Sequence, residues 1–387
     1  MSSNQDKKSG SNYDAWKISR HSPSSFQKLT PVGQMEYLCA CGHLAPSSHN
    51  TQPWKFQPMS DQTIRVYLDL GRYYEDKGKI IDQRRVLPVS DKNGHQGCVS
   101  IGCAIANIEA AARFLGVFKE TVILSPAVKI VLPLKNPVPT DNSLIPVANI
   151  KLSSTKSDSD KKLFEAIFTR RVNRDEYNLS KKIPSTVLQK LRTIKTPGVS
   201  VHLLERDTKS APKLMLIANS QFQADKTVFN NDQFISELGR WVLKNDSDKG
   251  LGMPFGTFGV KNSLEAVKLY LNFKLRKAFS IKDKSGFSQG AMKGIESAPL
   301  VGIITVKQDI PKFWIEAGRL LGKIALTAEA SGFAMAIHAG IAEVEGIKQS
   351  LSWINHAEDF VVILFRLGYS TRTQPHAPRL PIAQVML

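Results

Sequence analysis

Two long helical patterns in this chain carry the same punctuation. From Cys98 to Leu115 the apolar or small positions 98, 101, 102, 105, 108, 112 and 115 follow a helical period, and Gly116 stands where such a helix would stop. A second pattern runs from about Lys312 to Ala330. A shift of 216 residues superposes Gly102 on Gly318 and Gly116 on Gly332, and also Ile108 on Ile324 and Ala112 on Ala328. Glycine inside a helix costs about 1 kcal/mol relative to alanine. Small residues at matched turns therefore point to two helices whose backbones approach closely. The order of helices and strands around the two patterns agrees, so the chain is expected to hold two related halves.

Length permits this, since 387 residues suffice for two ordinary domains. Apolar content of 42% supports a real core, and no apolar run reaches 18 residues, so no membrane insertion is expected. The formal charge of +18 would suit a polyanionic partner. Its lysines are scattered and no nucleic-acid motif accompanies them, so the charge reads as solvated surface and no nucleic-acid partner is expected. Cys39, Cys41, Cys98 and Cys103 have neither metal spacing nor disulfide density, which points to free thiols and a cytoplasmic location. Residues 1–27, polar and without an apolar stretch, read as a flexible tail rather than a signal peptide.

Along the chain, Thr30 and Pro31 form an N-cap and first-turn pair for a helix that must stop before Pro46. Strands are expected near 64–69, 121–125, 128–134, 200–204, 300–306 and 360–367, and helices over 161–169 and 184–193. Residues 135–160, rich in Pro, Ser and Asp, are the best linker candidate. They separate a first half, 28–150, from a second, 160–387. Within the second half, 209–290 reads as a helix-rich insertion that could act as a lid. It contains the glycine-rich stretch Gly250 to Gly256 and a basic amphipathic stretch, Leu264 to Phe279.

The most specific string is Ala45-Pro46-Ser47-Ser48-His49-Asn50-Thr51-Gln52-Pro53-Trp54. Its two prolines enforce an ordered loop, and its hydroxyls and amides offer short directional donors and acceptors of the kind a planar ligand with polar edges requires. This string resembles the P-S-x-x-N-x-Q-P-W signature of the nitroreductase superfamily of flavoproteins. In its fuller form it resembles the Acg-like branch, in which two nitroreductase-like halves are fused. The implied fold is α+β, a pseudo-dimer with antiparallel-rich sheets and the two long helices at its centre. The implied cofactor is FMN.

The same resemblance supplies the other site residues. Arg170-Arg171-Val172-Asn173-Arg174 resembles the family's flavin-binding string, whereas the first half has only Lys17 to His21 at the corresponding place. Conversely, the second half has Ile194 to Val199 where the first has its signature loop. One complete site and one vestigial site per chain follow. Pro46, Ser47, Ser48, Asn50 and Gln52 are expected to bind FMN together with Arg170, Arg171, Val172 and Arg174. Arg379 matches the second basic position of a terminal phosphate-binding motif whose first position is Ala377, so one phosphate contact is either missing or supplied from elsewhere, by Lys293 or Arg171. Ser331 to Gly340 resembles the loop facing flavin N5, which brings in Ala339 and Gly340; Ala339 replaces a glutamate common in the catalytic branch.

There is no G-x-G-x-x-G before a helix, no Walker A string, no H-E-x-x-H and no G-x-S-x-G, and His49, His95 and His338 are isolated. No metal site and no protein acid or base are expected. The resemblance implies an oxidoreductase that passes two electrons from NAD(P)H through FMN to a nitroaromatic, a quinone or a similar small acceptor. The alternative is a protein that sequesters flavin beneath the insertion with little turnover. The implied assembly is a monomer with an internal pseudo-dimer, or a homodimer.

Overall fold

The structure, a computed structural model, describes residues 11–387 apart from 78, 125–143, 158–159, 259–270, 272–283, 345, 348–350 and 352–358. The strand expected over 128–134 lies outside the described residues, as does the amphipathic stretch 264–279 except for Leu271.

The residues read as a tail are folded from Ser11 onward. A 3-10 helix spans Ser11–Lys17, and Ser22 caps the short α1, Pro23–Phe26, which buries Phe26 completely. Helix α2, Pro31–His43, starts as its sequence requires: the Thr30 side chain accepts from the Gly33 amide, and Pro31 fills the first turn. Strands β1, Trp54–Pro58, and β2, Thr63–Asp69, pair antiparallel. A small hairpin, β3 (Tyr73–Asp76) with β4 (Lys79–Asp82), precedes the long helix α3, His95–Phe114. Gly116, at φ 75°, ends that helix in the left-handed region where glycine carries no steric penalty.

Strands β5, Phe118–Ile123, and β6, Leu144–Leu152, complete a four-stranded sheet of order β1-β2-β6-β5. β6 is an inner strand lying within the stretch read as a linker. Its Pro146 has no N–H to give to a ladder, and the register against β2 shifts at Val66/Tyr67, where Tyr67 faces Pro146.

Helices α4, Lys161–Thr169, and α5, Ser185–Thr193, lead into β7, Val199–Glu205. The insertion follows: α6 (Ala211–Phe229), α7 (Asp232–Trp241), the short parallel pair β8 (Val242–Leu243) and β9 (Met253–Pro254), and α8 (Lys284–Glu296). Phe234, Ile235, Leu238, Trp241, Met253 and Phe255 pack there around Leu87, so the insertion has a core of its own that also clasps the first half. The chain then returns to β10, Leu300–Val306, and helix α9, Pro311–Ala330. It ends through β11, Ala334–His338, the single turn α10, Gly340–Glu343, and β12, Phe360–Gly368. Residues 334–338, expected as part of a loop, are thus a strand.

The second sheet has the order β7-β10-β12-β11. Taken in chain order, its strands occupy the same places as β1, β2, β5 and β6 in the first sheet, and each sheet sends one long helix to the centre. Those helices meet reciprocally. A Cβ on Gly102 would lie 2.1 Å from the Ile315 carbonyl oxygen, and a Cβ on Gly318 would lie 2.1 Å from that of Val99. The two contacts interchange under the 216-residue shift. Across the same contact Arg319 bonds Glu109 at 2.5 Å and Glu316 at 2.6 Å, and Lys323 lies 3.4 Å from Glu109. Burial pushes the Glu109 carboxyl up, but Arg319 and Lys323 outweigh it and hold the group below its ordinary range.

All four cysteines are buried and free. Among the described residues no helix is long and apolar enough to cross a membrane.

Candidate cofactor cleft

The loop between α2 and β1 holds an unusual backbone. His49, Asn50 and Gln52 have φ of 48°, 55° and 49°. Such angles in residues other than glycine cost about 1–3 kcal/mol each and persist only where neighbours dictate them. Here the neighbours are identifiable. The Asn50 side-chain amide donates to the Gly252 and Pro378 carbonyls at 2.9 and 2.8 Å. Gln52 donates to the Gly250 carbonyl at 2.7 Å and accepts from the Leu380 amide at 3.0 Å. The loop is therefore pinned between the insertion and the C-terminal segment.

Behind it, Trp54 donates to Nδ1 of His43, whose Nε2 donates to the Leu380 carbonyl. Burial first, and Arg379 second, push the His43 imidazole down to about 3, so it is a neutral structural strut.

Two arginine-bearing segments reach the same place from elsewhere in the chain. Arg170 caps the C-terminus of α4, where a cation meets the negative end of the helix dipole. It is 5% exposed; one guanidinium nitrogen donates to the Leu44 carbonyl, while Nε, also buried, has no hydrogen-bond partner. Val172 bridges to Met335 beside β11, which fixes the direction of the arginine string. Arg174 is exposed, with its guanidinium 4.6 Å from the Phe258 ring and 3.4 Å from the Thr257 carbonyl. Arg379 is 2% exposed and donates to Asn50 Oδ1 at 2.6 Å and to the carbonyls of His43, Leu44, Ala45 and Pro378. Burial, followed by repulsion from Arg170, lowers Arg379 to about 9.

These segments enclose an open cleft of about 520 Å³, counting the solvent at its mouth. Its lining includes Pro46, Ser47, Asn50, Arg170, Arg171, Val172, Arg174 and Arg379. Among the described residues four arginines and no carboxylate face one space, an arrangement that attracts an anion. Among the described residues no group of His, Cys, Asp and Glu could hold a metal ion.

The remaining expected site residues lie outside the lining. Ser48 contacts Gln96 Oε1 and receives no cleft exposure, and Gln52 is fully buried as a strut. Lys293 is exposed on α8, and Ala339 is exposed beyond β11. Gly340 is buried against α6: a Cβ there would lie 2.6 Å from Asp225 Oδ1 and 2.9 Å from Gln221 Nε2.

Besides Ala377, five lining residues are not among the expected site residues: Trp16, Met253, Thr257, Pro375 and His376. Trp16 comes from the segment read as a tail, and its indole N–H donates to the Ala377 carbonyl at 2.9 Å. A lone tryptophan in a polar stretch was the one available hint.

The corresponding loop of the other half, 194–199, packs differently. Gly198 (φ 70°) has the Phe313 ring where a Cβ would be, and Thr196 donates to the Glu316 carbonyl. Arg20, from the weaker basic string, pairs with Glu165 at 2.7 Å.

No protein-family model matches this chain, and no curated protein matches it. Solved structures do resemble it over about half its length. The FMN-dependent nitroreductase NfnB from Mycobacterium smegmatis, in complex with NADPH, shares 13% identity and covers 58% of this chain and 96% of its own, with a TM-score of 0.37. A nitroreductase with bound FMN from Desulfitobacterium hafniense shares 14% identity, with 57% and 95% covered and a TM-score of 0.34. Iodotyrosine deiodinase bound to FMN and 3-iodo-L-tyrosine shares 14%, with 57% and 95% covered and a TM-score of 0.35.

Proposed function

We propose that this chain is an FMN-binding oxidoreductase of nitroreductase type, built from two fused halves with one complete cofactor site between them. The convergence of Arg170, Arg171, Arg174 and Arg379 with the Pro46–Asn50 loop, on a cleft free of carboxylates, carries the reading. These residues come from three separate parts of the chain and match three strings that resemble one family's cofactor contacts.

The donor set fits the cofactor. A phosphate monoester brings nearly two negative charges, and guanidinium forks bind such oxyanions in a fixed geometry. The buried, unpartnered Nε of Arg170 is the kind of donor an anion would satisfy. Arg170 and Arg171 would hold the phosphate, and Arg379, whose N–H groups are engaged by the loop and the C-terminal segment, would add its positive charge. Arg174 and the loop's polar groups would orient the ring and favour negative charge on it. Bound flavin supplies two-electron transfer between NAD(P)H and a small acceptor such as a nitroaromatic or a quinone. The chain supplies binding, orientation and exclusion of water, with no acid or base of its own assigned.

Shared strand order and the reciprocal Gly102 and Gly318 contacts support the two fused halves. In the other half, Gly198 against the Phe313 ring and a loop with no amide or aromatic support a single site. Met253 and Thr257 bring the insertion into the cleft wall, so access is gated by a segment whose glycines 250 and 252 lie against Arg379 and Trp241. Buried free thiols support a cytoplasmic setting.

The test is anaerobic titration of FMN-reconstituted protein with NADPH and NADH, followed by addition of a quinone. Bleaching at the flavin band and recovery on adding the quinone supports the oxidoreductase. Bound FMN that neither nucleotide reduces would favour sequestration instead.

A further inference from the structure

One cleft residue belongs to none of the strings that resemble a known family. His376 lies in the irregular C-terminal segment and is part of the lining of the same cleft as the arginines. Trp16 stacks on it, with ring centroids 3.9 Å apart and planes 30° from parallel. The Trp16 ring also faces the Arg379 guanidinium at 4.9 Å. Trp16 is itself anchored: its indole N–H is bonded to Ala377, and Asn12 of the same 3-10 helix donates to the carbonyls of Ser247 and Lys249. The Arg379 amide in turn donates to the Asn12 carbonyl at 2.7 Å. The imidazole is thus clamped in one orientation by a segment that ties the N-terminus, the insertion and the C-terminal segment together.

Its Nδ1 is buried and has no hydrogen-bond partner. A buried polar atom usually finds one. The charged groups around it are all cations, Arg170, Arg171 and Arg379, with Tyr13 beyond them. Burial, and then these arginines, push the imidazole down to about 2, so it is neutral at ordinary pH. A neutral imidazole can place one N–H donor beside three cations without adding to their repulsion, whereas a lysine could not.

We propose that His376, held by Trp16, is a further anion-contacting residue of this cleft, donating from Nδ1 to a phosphate monoester alongside Arg170, Arg171 and Arg379. The identification of that ester as FMN rests on the function proposed above. The contact itself rests on the place of His376 in the cleft lining, its Trp16 clamp and its unpartnered Nδ1.

The experiment separates the two. Nitrogen chemical shifts of labelled histidine are followed while the full chain is titrated with inorganic phosphate, FMN and riboflavin, and affinities are measured by flavin fluorescence quenching. The His376 Nδ1 signal should move with phosphate and with FMN, and not with riboflavin. His376→Ala should weaken FMN binding about tenfold, the low end for a hydrogen bond to a charged group, and leave riboflavin unaffected. His376→Asn, which keeps an N–H donor near the Nδ1 position, should recover most of the loss. Trp16→Ala should weaken FMN binding similarly, and Trp16→Phe should restore it. A phosphate-induced shift without FMN binding would reject the cofactor and keep this contact. Unchanged FMN affinity in His376→Ala, an equal loss for riboflavin, or no shift with either phosphate or FMN would overturn it.

Discussion

Replacing Arg319 by Met tests how the two halves are joined. Arg319 reaches across the central helix pair to Glu109, whose side chain is 2% exposed, and bonds Glu316 on its own helix. Methionine keeps much of the volume and removes the charge. Glu109 is left with Lys323 at 3.4 Å and the Thr121 hydroxyl at 2.7 Å. Breaking one side of a buried pair costs about 3–5 kcal/mol, because the remaining charge stays desolvated. The pH dependence identifies the cause. In the wild-type chain Glu109 is held below its ordinary range, so its stabilisation is present at neutral pH and lost as pH falls through the lowered value. In the variant burial prevails and the carboxyl titrates higher. The deficit relative to wild type should then be largest above about pH 6 and shrink toward pH 4. Urea unfolding of flavin-free protein at several pH values measures both, and adding Glu109→Gln to the variant should return much of the loss. A deficit below about 1 kcal/mol at pH 7, or one that does not change with pH, would rule out a stranded Glu109 charge as its cause.

Gly318→Ala places a methyl against the Val99 carbonyl, a backbone atom that cannot swing aside, so stability should fall by about 1–3 kcal/mol despite alanine's better helix propensity. Gly102→Ala should cost a similar amount, read from the same unfolding curves. Arg174→Ala should weaken FMN binding by about 1.5–3 kcal/mol, and Arg174→Lys should recover only part, as fluorescence quenching will show. Asp225 is pushed up to about 7 and Asp91 to about 6, each chiefly by burial, and Glu343 is raised beside them. Carboxyls raised above their unfolded values stabilise at low pH and lose that contribution as pH rises through about 7. Hydrogen exchange in α6 and at 340–343 should therefore speed up between pH 5 and pH 8 beyond its intrinsic rate, and Asp225→Asn should flatten the change.

Much of this architecture is visible in the sequence because its signals are local. The Thr30–Pro31 start, the glycine stops at 116 and 332, and the apolar strand 300–306 each declare themselves within a few residues. The glycine echo reaches further, since close backbone contact leaves no room for a side chain. What escaped was set by tertiary context. Strand β6 carries Pro146 beside a shift in register, which reads as a break until its partners are known. The segment 11–17 is polar by composition and ordered by Asn12 and Trp16 docking onto distant chain. In the cleft, the arginines and the Pro46–Asn50 loop were legible as strings. Gln52 matches by resemblance but is placed elsewhere, because a string does not say whether an amide faces a cavity or a neighbouring carbonyl, and Lys293, offered in place of the basic residue that Ala377 replaces, is exposed on α8. His376 and Trp16 became visible only when the cleft was.

One cofactor site made from two unequal halves fixes the flavin stoichiometry of the chain. The chain is reconstituted with excess FMN and desalted, and flavin released by denaturation is quantified against protein. One FMN per chain is the expected result, lost together with the flavin absorbance band when Arg170 and Arg379 are both replaced. Two FMN per chain would contradict the single site, and protein that takes up none would contradict the cleft assignment itself.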